Sequence, residues 1–187
     1  MSDELTKKIT GKKAQELREE LQENKSKNLR RRRAIIGLSL IGMGAMTAVS
    51  LLQTGIIKHL PDPPIDSFDS DKVNSSDTAY ALGVPDGTLS LASFAANIPV
   101  AAFGGENRAA ERPLVPICAA FKSSVEAVVA GWYFYQMPTK EKAWCGYCII
   151  GALANIGVAA LSLPEAKEAY QALTESKKRR QTSKGER

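Results

Sequence analysis

Cys145 and Cys148 are separated by two residues in the stretch KAWCGYCIIGALANIG, at the edge of an apolar run. A pair at that spacing is the redox pair of a soluble thioredoxin-like domain, half of a zinc site, or a dithiol held at a membrane surface. Zinc needs four ligands drawn from Cys, His or carboxylate. The other cysteine is Cys118 and the one histidine is His59, too few and too scattered to complete a site, so the residues point to no metal. A dithiol is better founded. Cys145 at the N-terminus of a helix meets the helix dipole and free N–H groups, which favour the reactive thiolate. Cys148 then falls one turn deeper, where a quinone ring can dock.

The elements that must hold this pair are uneven along the chain. Mean hydropathy is only −0.19, yet 1–33 and 164–187 are highly polar and the apolar residues are packed between them. Four segments there have about the length a bilayer demands, roughly 20 residues. They are 34–57, which carries no charge, 88–105, 114–137 and 144–163. The last three are rich in Ala, Ser and Gly, the residues that let helices approach closely in lipid. The expected fold is all-α, a four-helix transmembrane bundle spanning 34–163. A polar basic arm precedes it, an acidic outer loop at 58–87 interrupts it, and a polar tail follows. The alternative, that the last three segments are core helices of a soluble protein, is opposed by the first.

Charge sets the orientation, because Lys- and Arg-rich loops stay cytoplasmic. Of 25 Lys and Arg, all but Lys58, Lys72, Lys122, Lys140 and Lys142 lie in the two tails or between the second and third segments. With four spans those are all on one side, so both termini are expected in the cytoplasm and the cysteine pair on the far side. The expected location is a bacterial inner membrane, whose far side is oxidising enough for a disulfide to persist. The basic stretch follows about 30 polar residues, and no small-residue cleavage site closes the long apolar run. An uncleaved anchor is therefore expected rather than a signal peptide. RRRR at 30–33 and KKRR at 177–180 suit anionic lipid headgroups. Lacking interleaved aromatics or a binding motif, they do not suggest nucleic acid.

Other residues invite weighing. Lys122 and Glu126 are four apart in the third segment, so they share a helix face and can pair. Charges inside a membrane are costly and turned inward or paired; these serve helix packing, a polar cavity or a proton path. Cys118 reads as a small buried apolar residue. GWYFYQM, Gly131 to Met137, reads as an interfacial aromatic belt or the wall of a ring-binding pocket. His59 reads as interfacial. The N-terminal arm reads as a solvated helix or partner-binding arm, and LPEAKEAYQALTESKK as a short amphipathic helix after Pro164.

Two blocks then resemble the vitamin K epoxide reductase family, including its bacterial thiol:quinone oxidoreductase members. KAWCGYCIIGALAN is similar to the aromatic-flanked C-x-x-C that heads that family's last catalytic helix. DKVNSSDTAYALGVPDGTLSLASF, Asp71 to Phe94, is similar to the loop that ends in a Gly-Ile-Pro-like turn, here Gly83-Val84-Pro85. The resemblance covers about 33–163. It implies that Cys145 exchanges electrons with a partner thiol and that Cys148 lies next to a quinone. It also implies that Ser76 takes the place of a loop serine and that Trp144 and Tyr147 help wall the site.

The same comparison exposes a departure. The family carries a second cysteine pair in the loop after the first helix, which relays electrons from a thioredoxin-like partner. Here one of those positions falls at Ser70, and no cysteine occurs from Met1 to Ile117. Two readings follow. In one, the chain is a divergent thiol:quinone oxidoreductase whose external thiol partner attacks Cys145 directly. In the other, it is a non-catalytic accessory subunit of a larger membrane complex, with the acidic loop and tails as docking surfaces.

Overall fold

The computed structural model of the chain describes residues 2–185, with side chains described for 13–176 and Lys178. Helices make up almost all of the regular structure. Helix α1 is Ser2–Glu23 and α2 is Lys27–Gln53, so the four consecutive arginines form the first turns of the first apolar helix rather than preceding it. The Ser26 hydroxyl caps α2 by accepting from Leu29 N. The helix ends where Gly55, at φ 76°, turns the chain, a left-handed conformation that glycine adopts without a Cβ penalty.

A loop then carries the short α3, Ser70–Asn74, and a 3-10 turn at Asp77–Tyr80. The second predicted segment is α4, Asp86–Ala102, followed by the short α5, Arg108–Glu111. The third is α6, Leu114–Gln136, which runs into a π turn at Met137–Glu141. The fourth begins α7, Gly146–Gly185, which continues through Pro164. A separate amphipathic helix after that proline was expected; instead the tail extends the apolar helix.

Helix α2 packs against α4 and α7, and α6 packs against α7, while α4 and α6 scarcely touch. The contacts are made by small residues, as the composition suggested. Gly42 of α2 lies so close to the Phe94 ring that any Cβ there would overlap it. A Cβ on Gly87 would stand 2.7 Å from Val49 Cγ1. Ala45, Ala101, Ala154 and Ala159 are buried, whereas Leu40, Ile41, Phe121, Val128 and Leu153 point outward. A soluble protein puts its large apolar side chains inside. Here small residues share the interior with Phe94, Val49 and Val158, while many of the large apolar side chains cover the outside, which suits a lipid surround.

Among the described residues, three helices are long and apolar enough to cross a membrane: Lys27–Gln53, Leu114–Glu141 and Gly146–Ser176. Helix α4 has 17 residues. Cys118, expected in the interior, is instead exposed on α6. Four residues on, Lys122 is the member of that row that turns partly inward, because it has polar partners on α4.

Candidate functional site

The cysteine pair sits where the outer loop meets the start of α7. After the π turn, Lys142 adopts φ 53°, uncommon for a residue with a side chain, and redirects the chain into Ala143-Trp144-Cys145. Cys145 immediately precedes α7, and its Sγ accepts from Cys148 N at 3.1 Å. That is the helix-capping position the sequence suggested, with one of the otherwise unpaired N–H groups aimed at the sulfur. Cys145 and Cys148 are joined as a disulfide, their Cα atoms 5.2 Å apart.

A third side chain touches both sulfurs. Asn74, at the end of α3, donates from Nδ2 to Cys145 Sγ at 3.2 Å, and its Oδ1 lies 3.4 Å from Cys148 Sγ. Nδ2 also donates to Ser70 O, so both amide hydrogens are used. In the reduced pair, Oδ1 can accept from the Cys148 thiol while Nδ2 supports negative charge on Cys145. The amide is placed to make the two sulfurs unlike.

The outer loop lies over Cys145, which has no exposed surface. Trp144 N donates to Ser67 O and Asp69 N donates to Trp144 O, forming a short parallel bridge. The loop's acidic residues are largely spent on holding it. Asp62 accepts from both the backbone N and the hydroxyl of Ser70, Asp71 accepts from Leu60 N, and Asp69 caps α3. Ser70, where the family resemblance implied a cysteine, is fully buried.

Cys148 faces the other way, into a cavity of about 240 Å³ in the space left between α4 and α6. Ligand pockets begin at about 300 Å³, so this one suits a small ring. Its walls are mostly apolar, from Met46, Leu89, Phe94 and Val129, with Ser76, Asp86, Ser93, Glu126 and Tyr133 adding polar groups. Of the supporting residues read from the sequence, Ser76 lines this cavity. Trp144 and Tyr147 do not: the Trp144 ring packs on Phe134, and the Tyr147 hydroxyl donates to Pro61 O. Both secure the loop over Cys145. The aromatic run in α6 divides accordingly. Trp132 and Tyr135 face outward as a belt, while Tyr133 and Phe134 turn toward the cavity.

Lys122 and Glu126 do pair, at 2.6 Å. The Lys122 ammonium also donates to Asn97 Oδ1 at 2.7 Å and to both the carbonyl and hydroxyl of Ser93 at 3.0 Å. The Ser93 hydroxyl in turn contacts Glu126 Oε1.

His59 lies outside the helices, its Nδ1 against Asp71. That hydrogen bond and the carboxylate's charge raise the imidazole's pKa above its ordinary 6.5. A raised value means that the link contributes fully below pH 6.5 and is lost as pH rises through the folded midpoint. NMR titration of this single histidine is expected to give a midpoint above 6.5, falling back toward 6.5 in Asp71→Asn. An unchanged midpoint in that variant would rule the link out.

Sequence reasoning passed over Asn74, Gln53 and Asp86. Gln53, the last residue of α2, donates to Asp86 and to the Asn74 carbonyl and accepts from Gly87 N, so one buried amide joins α2, α3 and α4. A polar residue closing an otherwise apolar helix was the available signal for Gln53. Asn74 had none, since it gains meaning only from the fold of the loop. Among the described residues, no group of three or more His, Cys, Asp or Glu could hold a metal ion.

The sequence model of the Vitamin K epoxide reductase family matches residues 33–163. That stretch contains the outer loop, the cavity and both cysteines. No curated protein and no solved structure matches the chain. With this match and three helices able to cross a bilayer, the chain is an integral membrane protein.

Proposed function

Because the chain belongs to the vitamin K epoxide reductase family, we propose that it is a thiol:quinone oxidoreductase whose working pair is Cys145 and Cys148. The observation that carries this reading is the division between the two sulfurs. Cys148 opens on an apolar, ring-sized cavity, whereas Cys145 lies beneath the outer loop. In the reaction, the reduced pair gives up two electrons and its two thiol protons, a quinone gains both, and the pair closes to a disulfide. A partner dithiol then attacks the disulfide at Cys145, passes through a mixed disulfide, and leaves oxidised. Asn74 steadies the thiolate, and Trp144 and Tyr147 hold the loop that keeps water from it.

In this reading α4 is a fourth span, completing a four-helix transmembrane bundle. Both tails face the cytoplasm of a bacterial inner membrane, and the basic stretches rest on anionic lipid. The outer loop must lift for a thioredoxin-like partner to reach Cys145. That need also supports a second reading, in which the chain is an accessory subunit of a membrane complex and the disulfide is a structural staple. A sulfur with no exposed surface and no relay cysteine in the loop favours it.

The two readings separate in purified protein in mild detergent. The thiols are first reduced, then trapped before and after addition of a water-soluble naphthoquinone. Reoxidation that follows the quinone concentration supports the oxidoreductase. A redox state indifferent to quinone, in a protein that co-purifies in fixed stoichiometry with other subunits, supports the accessory reading.

A further inference from the structure

Asn155 lines the cavity together with Cys148, seven residues earlier on the same helix, and so do Gly151 and Ala152 between them. Seven residues are two helical turns, so the cysteine and the amide share one face of α7, about 10.5 Å apart along its axis. The intervening side chains are a hydrogen and a methyl group. A planar ring can therefore lie along α7 with one edge toward the sulfur and the other toward the amide. Several polar groups on the cavity wall already have partners in the protein: Ser76 bonds to Val73 O, Thr78 to Glu141, Ser93 to Glu126 and Asp86 to Gln53. Among the described residues the Asn155 amide has none. It is also within reach, half-buried at the cavity wall rather than sealed like Glu126 Oε2 and Asn97 Nδ2. An amide without a partner at this depth is costly, and in membrane bundles such groups bond across the helices. Ser90, Tyr133 and Gln136 also border the cavity, but from α4 and α6, whereas Asn155 is held at a fixed height from the reacting sulfur by its own helix.

Resting on the thiol:quinone reading above, we propose that Asn155 binds the ring oxygen farther from Cys148 and holds it in both redox states. An amide carries both a donor and an acceptor. Nδ2 donates to the quinone carbonyl. After reduction the amide turns about its last bond, and Oδ1 accepts from the quinol hydroxyl. Because the amide is not bonded to the protein, nothing opposes that turn. A carboxylate at this position would repel the quinone oxygen, and an aliphatic side chain would hold neither form. The donor also assists the chemistry. As the cysteine pair closes to a disulfide, two electrons enter the ring at the edge beside Cys148, and charge gathers on the conjugated far oxygen, where an N–H stabilises it. The two thiol protons complete the quinol, and Asn155 gives up none.

The test uses a redox-silent background, Cys145→Ser/Cys148→Ser, so that neither ligand form is converted, with menadione and anaerobically maintained menadiol as probes in detergent. Infrared spectra of bound menadione, isotope-labelled at one carbonyl at a time, read the bond directly, because a hydrogen bond lowers a carbonyl stretching frequency. One carbonyl is expected below its free value in the background protein and back at that value in Asn155→Leu. Tyr133→Phe should leave that same carbonyl lowered. Tryptophan fluorescence should show Asn155→Leu weakening both menadione and menadiol, each by about threefold to tenfold, the scale of one neutral hydrogen bond. Bound menadione with no lowered carbonyl in the background protein overturns the proposal without any change at Asn155, so the result does not depend on that variant's folding. A lowered carbonyl that survives in Asn155→Leu, or menadiol binding untouched by that substitution, also overturns it, and in each case the bound menadione leaves the quinone reading intact. Binding of neither form overturns both.

Discussion

Replacing Cys148 with serine is expected to abolish quinone-driven oxidation, lowering its rate by at least about a thousandfold, the scale for loss of a reacting nucleophile. The geometry makes this variant cleaner than its partner. Cys148 lines the cavity and lies partly accessible within it, while Cys145 is enclosed by Asn74, Trp144 and the loop. Serine keeps the shape and can still donate to Asn74 Oδ1, so the cavity should persist and bind the quinone undiminished. Cys145→Ser should also block disulfide formation, but it leaves the sulfur that faces the quinone. Thiol trapping combined with quinone binding distinguishes these effects. If Cys148→Ser still consumed quinone at an appreciable rate, the assignment of Cys148 to the cavity side would be lost. The same variant reports on the loop. A lone Cys145 that captures a small disulfide reagent only slowly, and faster once Tyr147→Phe removes the bond to Pro61, would identify the loop as the barrier to the partner thiol.

The helices and the pair's position were legible because they depend on properties that act locally. An uncharged run of apolar residues spans lipid wherever it stands, and a Cys-x-x-Cys before such a run sits at a helix start. The Lys122–Glu126 contact was legible for the same reason, since a separation of four places both on one helix face. The outward turn of Cys118 was not. Small size and moderate polarity suit both an interior and a lipid-facing position, and nothing in its neighbours decides between them. The passage of α7 through Pro164 was equally hidden. A proline forfeits one hydrogen bond, and here the helix is held on both sides of it by packing against α2 and by Glu165.

The polar framework around the site was illegible for a different reason. Asn74, Gln53 and Asp86 are far apart in sequence, and each looks like an ordinary loop or terminal residue. Their bonds to the cysteines, to each other and to Gly87 N exist only after α2, α3 and α4 converge. The acidic loop shows the same limit from the other side. Asp62, Asp69 and Asp71 bond to nearby backbone and Ser70, roles that their charge alone does not announce. Carboxylates that cap turns look, in a sequence, the same as carboxylates that wait for a partner.

At the other end of the helices, Glu165→Gln is expected to be the most destabilising single substitution considered, costing about 3–5 kcal/mol as the loss of one partner from a buried ion network. Arg32 of α2, Arg108 of α5 and Glu165 of α7 are each less than 5% exposed. Glu165 takes Arg108 Nε and Nη2 at 2.8 and 2.7 Å, a two-pronged contact, and stands 3.7 Å from Arg32 Nε. The remaining donors go to carbonyls at the end of α4 and in the turn after it. Arg108 reaches Val100 and Phe103, and Arg32 reaches Gly104 at 3.0 Å and Gly105 at 2.7 Å. Two guanidinium ions thus share one carboxylate, and the partial negative charge at the C-terminus of α4 supplies the balance. The counting predicts an asymmetry. Removing Glu165 leaves two buried cations opposed by carbonyls and, for Arg32, by the charge of Glu20, whereas Arg108→Gln leaves Arg32 and Glu165 as a balanced pair and should cost less. Thermal unfolding in mild detergent, compared across the two variants, checks the order. An Arg108→Gln protein less stable than Glu165→Gln would mean that the network is held by its carbonyl contacts rather than by its one carboxylate.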